Sequence, residues 1–185
     1  NYEKALADSK VKDRRLLIFS VQNIIYEILN KIGSFEVIEL GHKSVVAVLP
    51  VEFLELSGSS FHDMIEEILN SIRMYLNISC SMVISDAFEG FYGMKKAFNA
   101  CERAADLIFY KGFSSVIRVN EINIKDGELL GRYNEILEGI LELLQAGELT
   151  KLSLKIAEVL ESAKDNCWPK ELKSLIIKLL EDIKR

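Results

Sequence analysis

The chain changes character near residue 125. Before that point, stretches with helical spacing of apolar residues alternate with short runs of β-type alternation; after it, no strand signal survives. A pattern that switches in this way constrains the fold to an α+β part followed by helices. The boundary expected from it divides the chain into residues 1–125 and 126–185.

The elements follow in a definite order. LLIFSVQNIIYEILNKIG places Leu17, Val21, Ile24, Ile25 and Ile28 at helical spacing, with Gly33 as a stop. Ser34 to Leu49 reads as a β-hairpin, and Gly41 is available there for a positive φ. Ser60 is a candidate cap for a helix whose stripe is Met64, Ile65, Ile68, Leu69, Ile72 and Leu76. ISCSMVIS reads as a third strand, KKAFNACERAADLIFYKG as a helix and SSVIRVNEI as a fourth strand. Two amphipathic helices broken near Ala146 and Gly147 come next, then a last helix that carries Pro169 in its first turn. One strand before the first helix would complete a ferredoxin-like βαββαβ antiparallel sheet, with a C-terminal helical extension. That strand is expected upstream of Asn1, and the absence of an initiator Met reads as a piece of a longer polypeptide.

Composition narrows the function classes. The chain is 49% hydrophobic and 28% charged, with two prolines and ten glycines, which suits a packed core better than disorder. The net charge of −5 opposes direct contact with nucleic acid. Cys80, Cys101 and Cys167 are odd in number and far apart with no CxxC pair, which speaks against a disulfide framework or a zinc site and for a reducing compartment. No apolar run reaches the roughly 18 residues of a membrane span. A cytoplasmic protein with no membrane partner is expected.

Few residues carry a chemical signal. His42 falls in a turn and His62 at a helix start, without the further ligands a metal site needs, so no metal and no cofactor is expected. Phe88, Phe91 and Tyr92 in the 86–94 loop are candidates for lining a small-molecule pocket, although closing the open end of a sheet is the plainer use of such side chains. Ile136, Ile140 and Leu144 lie on an apolar helical stripe that must be buried, either within the chain or in a homodimer.

Several segments together resemble a known family. FSVQNIIYEIL resembles the first helix of the YesN-like AraC-type response regulators, and VIELGHKSVVAVLP resembles their strand hairpin. SIRMYLNISCSMVIS is similar to their helix-to-strand passage. KAFNACERAADLIFYKGFSSVIRVNEI is similar to the stretch that ends both these domains and GGDEF domains. NEILEGILELLQAGELTKLSLKIAEVL resembles the helical segment that leads toward the DNA-binding domain. The resemblance implies a degenerate GGDEF-like middle domain followed by a helical linker. It also implies a receiver or sensory domain upstream and paired helix-turn-helix motifs downstream, so that DNA is met only through residues outside this chain.

The resemblance places the GGDEF position at the turn Leu40, Gly41, His42, Lys43 and Ser44. An active cyclase needs acidic residues there to ligate Mg²⁺ beside a triphosphate, and glycines that admit the nucleotide. One glycine remains, and neutral or cationic side chains stand where the acids would be. The chain is therefore read as a non-enzyme that transmits a signal within a transcription regulator. The alternative is a domain of such a regulator that senses a small molecule or nucleotide.

Overall fold

The structure is a computed structural model that describes residues 14–30, 33–41, 44–55, 58–124 and 131–184. The chain packs as two compact units. One comprises Asn1–Met82 with Phe113–Ser115, and the other Val83–Gly112 with Val116–Arg185.

In the first unit, helix α1 (Arg14–Leu29) precedes the hairpin of β1 (Glu36–Leu40) and β2 (Ser44–Val48). A one-turn helix α2 (Glu52–Glu55) and the long helix α3 (Gly58–Leu76) follow. Leu17, Ile18, Val21, Ile25, Ile28 and Leu29 recur every three or four residues, so α1 turns one apolar stripe inward, and all six are buried. Phe61, Met64, Ile65, Ile68 and Ile72 do the same on α3, which packs against α1. Phe53 and Ile78 are also buried. Helix α3 begins at Gly58, so Ser60 sits inside its first turn and not at its cap. The hairpin is antiparallel with Val37 opposite Ala47 and Leu40 opposite Ser44. It lies on α1, and the Tyr26 ring meets Phe35 at 5.1 Å between centroids.

The second unit contains, from Val83 on, the strand β3 (Met82–Ile84), its partner β4 (Val116–Arg118), helix α4 (Gly90–Ala105) and the short α5 (Ile108–Lys111). Three longer helices close the chain: α6 (Tyr133–Gln145), α7 (Leu149–Asn166) and α8 (Pro169–Ile183). Ala104, Leu107, Ile117 and Trp168 form one buried cluster, with Val83, Ile108, Tyr110 and Val119 packed around it. Tyr133, Ile136, Ile140, Ala163, Cys167, Leu172, Leu175 and Leu179 form another among the three helices.

The α+β class and the order of elements agree with the sequence reading, but the strand pairing differs. The four strands do not join into one βαββαβ sheet among the described residues: β1 pairs with β2, and β3 pairs with β4. β3 and β4 are three residues each, shorter than the tracts ISCSMVIS and SSVIRVNEI promised. Asn77 and Ser114 adopt positive φ at the approaches to these strands, and a 3-10 turn takes over at Val119. A strand held by one neighbour is regular only where that neighbour runs beside it, so alternation beyond the pair yields no ladder.

The packing also divides the chain elsewhere than at residue 125. Residues 83–112 and 116–124 belong with the C-terminal helices, because Trp168 is buried among Ala104, Leu107 and Ile117. The change near residue 125 marks a change of element type, while burial sets the units.

The α6–α7 joint illustrates local determination. Gly147 has φ +70°, the Glu148 N–H donates to the Leu143 carbonyl at 3.1 Å, and the Gly147 N–H donates to the Leu144 carbonyl at 3.1 Å. This is the Schellman arrangement, in which a residue without Cβ takes the left-handed position. Gly147→Ala is expected to lower stability by about 1 kcal/mol, measured by urea unfolding, because an L residue is strained at that φ.

Candidate functional site

The hairpin tip is the position where the resemblance puts chemistry. Leu40 and Ser44 are the last facing pair of the ladder, so the connection runs from Gly41 to Lys43. Gly41 has φ +63°, as the sequence reading expected, and nothing lies within 4 Å of where its Cβ would be. His42 and Lys43 lie outside the described residues. Leu40 is 40% exposed, and Gly41 and Ser44 are exposed too, so the described part of the tip is open to solvent. The nearest acid on β1, Glu39, stands opposite Val45 in the ladder and is exposed.

The aromatic loop is not a core feature. Phe91 and Tyr92 are 83% and 75% exposed, and Phe88 is 39% exposed. They do not close the end of a sheet, which was their plainer expected use. The reason lies in α4: its only buried residue is Ala104, at the C-terminal end, so the first turn that carries Phe91 and Tyr92 stands in solvent. The Phe88 side chain lies over Gly93, where an added Cβ would come within 3.2 Å of it. The Lys96 ammonium is 5.9 Å from the centre of the Tyr92 ring.

The proposed dimer face is also redistributed. Ile136 and Ile140 are 3% and 5% exposed within the cluster formed by α6, α7 and α8, and only Leu144 of the three is exposed. Leu172, Leu175 and Leu179 meet that stripe from α8, so the apolar face of α6 is satisfied within the chain.

His62 Nε2 lies 3.4 Å from Glu66 Oε1 one turn along α3, with both side chains exposed. Among the described residues, no three His, Cys, Asp or Glu side chains are grouped so that they could share a metal ion. The three cysteine thiols all shift in one direction, upward. Burial raises the Cys80 thiol above its ordinary value, and burial and the Asp86 carboxylate raise Cys101. Cys167 is pushed up to about 11 by burial, the Glu171 charge and its hydrogen bond to Glu171. A nucleophilic cysteine needs the opposite shift, toward thiolate.

Sequence reasoning missed the long-range contacts made by the three C-terminal helices. The Arg103 guanidinium sits 4.1 Å from the Trp168 ring centre, and Lys170 Nζ is 2.9 Å from Asp106 Oδ2. Tyr133 donates to Asp182 at 2.5 Å, and the Lys178 ammonium lies 3.9 Å from the Tyr133 ring centre. No local pattern signals pairs so distant in sequence. Pro169, read from the sequence as lying in the first turn of the last helix, marked only where that helix begins.

No family model, no curated protein and no solved structure matches this chain. Among the described residues, no helix is long and apolar enough to cross a membrane.

Proposed function

We propose that the chain is a non-catalytic, signal-transmitting module of a cytoplasmic bacterial transcription regulator, with a degenerate GGDEF-like region and a helical linker. DNA is contacted through a helix-turn-helix region outside this chain. The observation that carries the reading is the turn Leu40-Gly41-His42-Lys43-Ser44. It lies between paired strands, has a left-handed glycine, and contains no carboxylate. A turn of that composition offers no anionic oxygen to a divalent cation beside a triphosphate. The element order of helix, hairpin, helix, strand, helix, strand and helices supports the same reading.

Two measurements test it. Incubated with Mg²⁺ and GTP, the protein is expected to release no cyclic dinucleotide above a buffer control; steady product formation would overturn the non-catalytic assignment. Genome-wide crosslinking of the tagged protein in the cell that makes it is expected to recover discrete promoter sites. A uniform background would overturn the regulatory assignment.

A further inference from the structure

Cys167 and Trp168 are sequence neighbours at the corner between α7 and α8, yet they fill different hydrophobic clusters. Cys167 is 1% exposed in the cluster of the three C-terminal helices, and Trp168 is 9% exposed in the cluster of Ala104, Leu107 and Ile117. The backbone explains the split. Both residues are extended, with φ −151° and ψ 136° at Cys167 and φ −70° and ψ 144° at Trp168. Successive side chains of an extended segment leave on opposite sides.

The corner is fastened from several directions. The Trp168 N–H donates to the Glu171 carboxylate at 3.4 Å, and Pro169 opens α8. The Arg103 guanidinium over the indole and the Asp106–Lys170 ion pair both tie the C-terminal end of α4 to this corner. Tyr110, on α5, packs against both clusters at once. A connector that served only as a tether would leave its side chains in water. This one places its two largest apolar groups in two cores.

We propose that the Cys167–Trp168 corner is a coupling joint. It makes the β3–β4 layer and the three C-terminal helices gain or lose structure as one cooperative body, so that a change arriving at α4 is felt along α8. The cooperativity stands without the regulatory reading of the chain; its use in signalling rests on that reading. Neither nucleotide nor DNA enters the test, so the two ideas fail separately.

Hydrogen-exchange mass spectrometry of the full chain across a urea series reads the coupling directly. In the wild type, peptides from α4 and from α6 are expected to lose protection at the same urea concentration. Trp168→Ala is expected to split them, with α4 losing protection about 1 M urea or more before α6. Trp168→Phe, which keeps a ring in the cluster, is expected to leave them together. Trp168→Leu, a milder truncation, is expected to split them in the same order and serves in place of Trp168→Ala should that variant not fold. Separate transitions in the wild type would overturn the joint, as would coincident transitions in the truncated variant.

Discussion

Leu175→Ala is expected to destabilise the second unit by about 2–5 kcal/mol, the range for emptying a leucine site in a packed interior. Leu175 is 1% exposed and lies in the cluster with Ile136, Ile140, Ala163 and Cys167. Removing three heavy atoms there forfeits both their transfer out of water and their contacts, because neighbouring helices relax only partly. A loss of that size is a large share of the roughly 5–15 kcal/mol that holds a domain folded. The control lies one residue on. Ile176 is 38% exposed on the same helix, and Ile176→Ala is expected to cost about 1 kcal/mol or less. Urea unfolding followed by far-ultraviolet circular dichroism gives both numbers. Equal losses at the two positions would contradict the orientation of α8.

Raising the pH above about 9 is expected to unfold the same unit progressively. Three of its groups are held neutral. Cys167 is pushed up to about 11 by burial, the Glu171 charge and the Glu171 hydrogen bond. Tyr110 rises to about 12 through burial, then Cys167 and Glu171. Tyr133 also rises to about 12, through burial, its hydrogen bond to Asp182 and the charges of Asp182 and Glu181. Each folded value lies above the ordinary one of 9.0 for the thiol and 10.0 for the phenols. The unfolded chain therefore releases these protons first, and alkali favours it. The stabilisation is fully present below pH 9 for Cys167 and below pH 10 for the tyrosines, and it is lost as pH rises through about 11 and 12. Urea midpoints from pH 8 to pH 12 measure the slope. The combined variant Cys167→Ala, Tyr110→Phe, Tyr133→Phe is expected to show a shallower decline. A slope identical to the wild type would remove these groups as its cause. Tyr110→Phe alone is informative near neutrality as well. The Tyr110 hydroxyl is buried without a hydrogen-bond partner among the described residues, so its removal is not expected to destabilise the fold there.

Much of the fold was legible before any coordinates. Of the stripe Leu17, Val21, Ile24, Ile25 and Ile28 all but the half-buried Ile24 are buried, and the left-handed role of Gly41, the break at Gly147 and Pro169 as a helix opener match the structure. Each is a local property: helical spacing, a φ available only without Cβ, a missing N–H where none is needed. The candidate site was legible only in part. The turn at Leu40 to Ser44 lies where the hairpin was expected, and Ile136 and Ile140 are buried within the chain, the first of the two burials open to them, but Phe91 and Tyr92 went to solvent. Apolar character states that a side chain is better buried; it does not name the surface that buries it.

The sequence by itself determined the order of the elements, the buried stripes of α1 and α3 and the residue make-up of the hairpin turn, because these depend on residues within a few positions of one another. Tertiary structure alone decided that β3 and β4 pair apart from the β1–β2 hairpin, that the α6 stripe meets α8, and that Cys167 and Trp168 serve different clusters. Those outcomes turn on which distant segments come together. That choice is set by shape and burial summed over the whole unit, and no periodicity within one segment records it.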